Sequence, residues 1–255
     1  MGRLEGKVAV ITGAGSGIAR AAARIFVREG AKVAVAEINT ELGEASAAEA
    51  GDGAVFIHAD VTDEASVKAL MDKAADTFGG IDILFNCAGG SIVEDTVVTD
   101  VDMAVWDRTI PLDLKGPFLC CRHGIPKLKA RGGGSIINVS SVVALRGNHP
   151  AHVYAAAKGG LISLTRSLAG AYADDAIRAN AICPGLIKTE RILRRIGGSA
   201  GHNQPRGGSL ATFQSYPFGV GEPEDIANIA LFLASDESRM VNAAIIPAEG
   251  GISAY

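Results

Sequence analysis

The sequence predicts an α/β fold in which a doubly wound parallel sheet of about seven strands carries helices on both faces. Two observations predict it: short β-branched runs alternate with longer helical patterns, and these runs are almost continuously apolar. With 255 residues, the chain has the length of one large domain, and we expect a single domain over 1–255.

The elements follow in a regular order along the chain. The first apolar run ends in a glycine-rich turn, and the residues after it place apolar side chains at helical spacing. Seven apolar runs are predicted strands: Lys7–Thr12, Lys32–Glu37, Ala54–His58, Ile81–Asn86, Ser135–Ser140, Arg178–Cys183 and Ala243–Pro247. The predicted helices cover Gly17–Glu29, Thr40–Ala50, Asp63–Phe78, about 152–172, and Pro223–Ala234, with Asp63 as a cap.

Composition and charge exclude several classes of function. The 24 Lys and Arg against 28 Asp and Glu give a net charge of −4, and no basic block is present, which argues against nucleic acid and anionic membranes as partners. The longest run without a charged residue is fifteen residues, too short to span a bilayer, and the N-terminus lacks the apolar core of a secretory signal. We expect a cytoplasmic protein. His149 and His152 have no third ligand at suitable spacing, so no metal site is predicted.

The turn Thr12–Ala19 lies between the first strand and the first helix, where free N–H groups and the positive end of the helix dipole suit a diphosphate. Its pattern is G-x-x-x-G-x-A, which alone is a weak signal, because a purely structural turn can have the same glycines. The positions expected to face a cofactor are Gly13, Gly15, Ser16, Gly17 and Ile18.

An acid at the end of the second strand strengthens the dinucleotide interpretation. Glu37 lies 24 residues past Gly13, where a carboxylate can accept both adenosine ribose hydroxyls and would repel a 2′-phosphate. Neither Ser16 nor Ile38 supplies a cation to offset that repulsion, so the sequence favours NAD(H) over NADP(H). The alternative is an ordinary solvated acid at a strand end.

Over essentially its whole length the chain resembles a short-chain dehydrogenase/reductase of the single-domain type, which implies a Rossmann-like fold and a nicotinamide cofactor. The motifs that carry the resemblance stand in the family's order: Thr12–Ala19, Asp60-Val61, Asn86–Gly89, Ser141, Tyr154 with Lys158, and Pro184-Gly185 followed by Thr189. The resemblance also implies a homotetramer.

The resemblance assigns further cofactor roles residue by residue. It implies that Asp60 and Val61 flank the adenine, and that Asn86, Ala88 and Gly89 line the adenosine side and support the sheet. The nicotinamide end would be held by Pro184, Gly185, Ile187 and Thr189.

Tyr154 and Lys158 are four residues apart, so on a helix they face the same way. A free phenol has a pKa of about 10, and a nearby ammonium and the cationic nicotinamide ring both favour the phenolate, so we expect a lowered pKa. Tyr154 would then take the alcohol proton as hydride leaves for NAD⁺. The family pattern implies that Ser141 hydrogen-bonds the substrate oxygen and that Lys158 also holds the nicotinamide ribose.

Asp113 departs from the family, which usually has Asn at this position, thought to hold a water that relays protons to the lysine. An ionised carboxylate would pair with Lys158 and partly cancel the charge that acidifies Tyr154. We expect activity to persist with a shifted pH optimum. The alternatives are impaired catalysis, or an Asp113 that points away from the site.

The glycine-rich segment 188–221 interrupts the α/β pattern and is predicted to be a substrate lid, the alternative being a surface loop without a role. It carries Arg191, Arg194, Arg195 and Arg206, which could meet an anionic substrate or a cofactor phosphate, although a solvated face is the preferred interpretation.

Three functional hypotheses follow. The leading one is an oxidoreductase that transfers hydride between NAD(H) and a secondary alcohol or ketone. The alternatives are an NADPH-dependent ketoreductase of acyl-type substrates and a dinucleotide-binding scaffold or sensor without turnover.

Overall fold

The computed structural model describes residues 2–147, 149–198 and 218–254. Seven parallel strands form one sheet in the order β3-β2-β1-β4-β5-β6-β7. The strands are β1 (Val8–Thr12), β2 (Lys32–Glu37), β3 (Ala54–His58), β4 (Ile83–Asn86), β5 (Gly134–Val139), β6 (Ile177–Pro184) and β7 (Ile245–Ala248). The prediction of a doubly wound parallel sheet is confirmed, and each predicted strand end lies within two residues of the observed one.

Helices cover both faces of the sheet. They are α1 (Gly17–Arg28), α2 (Thr40–Ala50), α3 (Glu64–Phe78), α4 (Met103–Ile110), α5 (Gly116–Ala130), α6 (His152–Ala171), α7 (Glu190–Gly198) and α8 (Pro223–Ala234). One buried cluster joins the sheet to α1 and α8 through Phe26 and Ile226, and a second joins it to α3 and α5 through Leu70 and Leu119. Asp63 caps α3 as expected, since its carboxylate accepts hydrogen bonds from the N–H groups of Ala65 and Ser66.

The helical region 103–130 was not foreseen from the sequence. Three prolines discourage a helix there, yet Pro111 opens a π-helical turn over Pro111–Lys115, Pro117 lies at the start of α5, and Pro126 is tolerated inside it. Pro111 and Pro117 stand near the points where the helix type changes, within one continuous run of right-handed helical backbone from Met103 to Ala130. The π turn contains Asp113 and buries it completely.

In the part of the chain that the structure describes, no helix is long and apolar enough to cross a membrane. The same ranges contain no group of three or more His, Cys, Asp or Glu arranged to hold a metal ion.

Candidate active site

The sheet order reverses between β1 and β4, and the glycine turn lies at the carboxyl end of β1 at that point. The Thr12 hydroxyl accepts hydrogen bonds from the N–H groups of Cys87 (3.1 Å) and Ala88 (3.2 Å), which ties the turn to the segment after β4. The two meet so closely that a Cβ at Gly13 would lie 2.8 Å from the Cα of Ala88. This edge of the sheet is where doubly wound folds bind ligands.

The start of α1 binds a carboxylate in this structure. Gly17 has a φ of +55°, and its N–H donates to Oε2 of Glu190 at 3.1 Å. The Glu190 carboxylate thereby stands where an anionic oxygen of a ligand would meet the positive end of the helix. Ser16 is the extended N-cap residue beside it, and Ile18 packs partly against the core. The donor set therefore fits a diphosphate.

Glu37 is held rigidly at the end of β2. Its Oε2 accepts from the N–H of Gly15 at 3.0 Å, and its Oε1 accepts from the N–H groups of Ile38 and Asn39 at 3.0 and 3.1 Å. The carboxylate therefore lies against the glycine turn and does not swing free in solvent. This placement suits a carboxylate that receives hydroxyl groups of a ribose seated over Gly15.

The other predicted adenosine-side residues follow β3 and β4. The Oδ1 of Asp60 accepts from the N–H and the hydroxyl of Thr62 at 2.8 and 2.7 Å, which fixes the backbone of Val61. Asn86 is buried, and its amide donates to Oδ1 of Asn138 at 2.8 Å, so this side chain supports the sheet.

The predicted nicotinamide-end residues follow β6. The N–H of Gly185 donates to the carbonyl of Ala248 at 3.1 Å, and Ile187 pairs with Gly221 in an isolated parallel bridge. Thr189 reaches α1, where a Cβ added to Gly17 would lie 2.9 Å from its Cγ2. The segment after Pro184 therefore lies over the glycine turn.

Three segments carry the predicted catalytic residues: Ser141 follows β5, Tyr154 and Lys158 lie on α6, and Asp113 lies in the π turn. Nζ of Lys158 lies 5.5 Å from the centroid of the Tyr154 ring, 3.0 Å from Oδ1 of Asp113, and 2.9 Å from the carbonyl oxygen of Val139. Ser140 connects α6 to the end of β5, because its hydroxyl donates to the carbonyl of Lys158 at 2.9 Å. Tyr154 also has a hydrogen bond with Ser141, so residues from three separate segments form one cluster at the carboxyl edge of the sheet.

In the protein without a bound cofactor, the pKa of Tyr154 is raised. Burial raises the pKa of this phenol and the charge of Asp113 raises it further, and these outweigh Lys158, Arg191 and a hydrogen bond with Ser141. The positive charge of a bound nicotinamide is not part of that balance.

The structure excludes the alternative in which Asp113 points away from the site. Its side chain points into the site, where Oδ1 contacts Lys158 and accepts from the N–H of Gly90 at 2.8 Å. Burial by itself lowers the pKa of Lys158, but the charges of Asp113 and Tyr154 prevail and raise it. Oδ2 of Asp113 is buried and has no hydrogen-bond partner among the described residues, so this oxygen retains capacity to accept.

Sequence reasoning missed Asp95, which caps the helix that carries Tyr154. Oδ2 of this buried carboxylate accepts from the N–H of Tyr154 at 2.7 Å, and Oδ1 accepts from the N–H of Val153 at 3.2 Å. Asp95 lies far upstream of α6 in the chain, so no local capping pattern could have revealed it.

The first part of segment 188–221 forms a helix that packs on the site. Nη1 of Arg191 donates to the carbonyl of Gly89 at 2.8 Å, and Nη1 of Arg195 donates to the Ser91 hydroxyl at 3.2 Å. The preferred interpretation of a solvated face is therefore wrong for Arg195, which is half-buried, whereas Arg191 is exposed although it donates to Gly89. The solvated-face interpretation suits Arg194, which is exposed. Arg206 lies outside the described residues.

Comparison with known proteins agrees with this geometry. The profile described as "Enoyl-(Acyl carrier protein) reductase" matches residues 13–253. Cis-4-hydroxycyclohexanecarboxylate dehydrogenase of Sinomonas cyclohexanicum is 39% identical over 97% of this chain and 97% of its own length. Meso-2,3-butanediol dehydrogenase of Serratia marcescens is 36% identical over 99% of this chain and 96% of its own. The chain belongs to the short-chain dehydrogenase/reductase family.

A solved structure supports the same assignment. A short-chain dehydrogenase/reductase from Burkholderia xenovorans, titled as putative, superimposes with a TM-score of 0.92 at 35% identity and covers 100% of this chain and 99% of that one. This short-chain dehydrogenase/reductase is accordingly an oxidoreductase of the nicotinamide-dinucleotide class, with Asp113 in its buried cluster.

Proposed function

We propose that the protein transfers hydride between NAD(H) and a secondary alcohol or its ketone. The observation that carries the proposal is the cluster of Ser141, Tyr154 and Lys158 at the carboxyl edge of the sheet, beside the glycine turn. The names of the two relatives above, dehydrogenases of hydroxyl compounds, support this substrate class.

In this proposal the cofactor lies along the edge from Glu37 to Thr189. The N–H groups at the start of α1, where Gly17 now donates to the Glu190 carboxylate, would hold its diphosphate. Asp60, Val61, Asn86, Ala88 and Gly89 serve the adenosine side, and Pro184, Gly185, Ile187 and Thr189 serve the nicotinamide end. Bound nicotinamide supplies the hydride acceptor or donor.

The chain's own residues handle the proton. The Ser141 hydroxyl binds the substrate oxygen. The Tyr154 phenolate takes the proton of the alcohol in oxidation and becomes a hydroxyl, and this hydroxyl returns the proton in reduction. Lys158 stays protonated beside Asp113 and favours the phenolate. Asp113 holds Lys158 in place, and its open Oδ2 suits a water that passes protons onward.

The preference for NAD(H) rests on Glu37. Three backbone N–H groups hold its carboxylate against the glycine turn. This position supports a role in which the carboxylate would accept the 2′-hydroxyl of a ribose and repel a 2′-phosphate. Two basic side chains of α1, Arg20 and Arg24, both form ion pairs with Glu49.

The test is turnover of a panel of secondary alcohols and ketones with both cofactors, in wild type and in Tyr154→Phe. We expect NAD(H)-linked turnover that falls at least about a hundredfold in the variant, since general acid–base catalysis contributes 10²–10⁴-fold. Fluorescence titration should show retained NADH binding in both proteins. Tight NADH binding without turnover by wild type on the whole panel would instead favour a scaffold or sensor.

The second candidate is a ketoreductase of acyl-type substrates that uses NADPH. The description of the matching profile, which names an acyl carrier protein reductase, favours it. A kcat/KM that is higher with NADPH and an acyl thioester than with NADH and any simple ketone would establish it.

We also propose a single catalytic domain over 1–255, in which segment 188–221 closes over the substrate, and a homotetramer. Exposed apolar residues on α4 and α5 support assembly: Met103, Trp106 and Phe118. Sedimentation as a monomer would contradict the tetramer.

A further inference from the structure

We propose that Arg191 and Arg195 form an anion subsite beside the cluster, so that the substrate is a hydroxy acid or oxo acid whose carboxylate they bind. This inference rests on the proposed function, because it places the reacting carbon at Tyr154. It adds to that function a second chemical group on the substrate, a carboxylate.

A cleft lies between α7 and the segment after β4, and both arginines line it. Arg191 and Arg195 are four residues apart on α7, so they share one face. That face lies on Gly89–Ser91: Arg191 reaches the carbonyl of Gly89, Arg195 reaches Ser91, and a Cβ added to Gly90 would collide with the Arg191 guanidinium. Arg194 instead donates from Nε to the carbonyl of Glu190 in its own helix.

The cleft concentrates positive charge in an acidic protein. Its lining includes Arg108, Arg191 and Arg195 together with Asp113, whose charge is matched by Lys158. The exposed Glu94 is the carboxylate whose charge acts on Arg195. The described residues place no carboxylate oxygen within 4.0 Å of the guanidinium of Arg108 or Arg191.

Two guanidinium groups held together favour an anion. Burial lowers the pKa of Arg195, and the like charge of Arg191 lowers it further. A carboxylate between them relieves that repulsion and accepts paired N–H donors, a geometry that guanidinium matches better than ammonium.

The subsite is close to the reacting atoms. Asp113 lines the cleft and contacts Lys158, and the charge of Arg191 lowers the pKa of Tyr154. A molecule whose oxygen meets Tyr154 and Ser141 can therefore extend toward α7. The cofactor diphosphate is the other anion that could reach these arginines, so the experiment must separate the two.

The experiment compares oxo acids with their primary amides, which are nearly isosteric and uncharged. The probes are 3- and 4-oxocyclohexanecarboxylate and the corresponding carboxamides, assayed with NADH in wild type, Arg191→Gln, Arg195→Gln and the matched control Arg194→Gln. The Kd of NADH is measured for each protein by fluorescence. Binding of cyclohexanecarboxylate and its amide to the NADH complex is measured by calorimetry.

We expect wild type to prefer the acid over the amide by about 10- to 100-fold in kcat/KM, the range that a charge-assisted contact provides. The preference should be lost in Arg191→Gln and Arg195→Gln, mostly through KM, and kept in Arg194→Gln, with the Kd of NADH changed less than about twofold. An equal preference for acid and amide in wild type overturns the proposal. So does a loss of NADH affinity in the two variants with equal losses for acid and amide, which would assign the arginines to the cofactor.

Failure of the proposed function gives a different result. Cyclohexanecarboxylate that binds the NADH complex at least about tenfold tighter than its amide, without turnover of any ketone, would leave the subsite standing and refute the dehydrogenase. Turnover of ketones with no preference for the acid would support the dehydrogenase and refute the anion subsite.

Discussion

Oδ1 of Asp113 lies 3.0 Å from Nζ of Lys158, and both groups are almost completely buried. The pair occupies the position where the family resemblance implies an amide and an ammonium. A carboxylate there keeps Lys158 charged and at the same time opposes the ionisation of Tyr154, because its own negative charge raises the pKa of the phenol. In the proposed mechanism, proton transfer therefore depends on the balance of charges around Tyr154.

The first prediction concerns pH. Asp113→Asn removes a negative charge that raises the pKa of Tyr154, so the phenolate forms at lower pH. The rising limb of kcat/KM for alcohol oxidation should move to lower pH, with a several-fold gain in rate below the wild-type limb. The alkaline fall of ketone reduction should move in the same direction.

The measurement is a pH–rate profile in both directions, with Asp107→Asn on the exposed part of α4 as the matched control. An unchanged limb and an unchanged rate in Asp113→Asn would remove Asp113 from the mechanism.

The second prediction concerns cofactor choice. Glu37→Gln keeps the shape of the side chain but removes the charge that we propose meets the ribose. We expect kcat/KM with NAD⁺ to fall about 10- to 100-fold, the worth of hydrogen bonds to a charged acceptor, while kcat/KM with NADP⁺ rises. Initial rates with the two cofactors check it. Parallel changes for both cofactors would mean that Glu37 does not face the 2′-position.

The third prediction concerns the carboxylate at the start of α1. Glu190 competes with any anion at the N–H of Gly17, so Glu190→Gln should bind NADH a few-fold more tightly. Fluorescence titration of NADH measures this, with Glu44→Gln on the exposed face of α2 as a control. Weaker binding in Glu190→Gln would show that the carboxylate assists the cofactor instead.

The fourth prediction concerns the cap of the catalytic helix. Asp95→Ala leaves the N–H groups of Val153 and Tyr154 without their acceptor, and it should lower the free energy of unfolding by about 1–2 kcal/mol. Because the cap holds the backbone of Tyr154, kcat should fall more than the Kd of NADH changes. Urea unfolding and steady-state kinetics test this against Asp100→Ala in the same exposed loop. Equal stability of the two variants would deny Asp95 a capping role.

Local sequence patterns were sufficient for the sheet. Each strand is a short apolar run between turn residues, and parallel strands buried on both faces require that pattern, so their order along the chain was predictable. Local patterns did not predict the helices of Met103–Ala130, because the three prolines there disfavour a helix. These helices are stabilised by packing against α3 and α6, which local patterns do not record.

Among the site residues, the sequence by itself determined the identities of Ser141, Tyr154 and Lys158 and the one-turn spacing of the last two. Only the tertiary structure decided how they are charged. Asp113, Asp95 and Arg191 reach Tyr154 from three separate segments, and their effects depend on distance and burial. Sequence patterns record neighbours along a helix or strand, whereas electrostatic energies depend on separation in space and on exclusion of water, which exist only once the chain has folded.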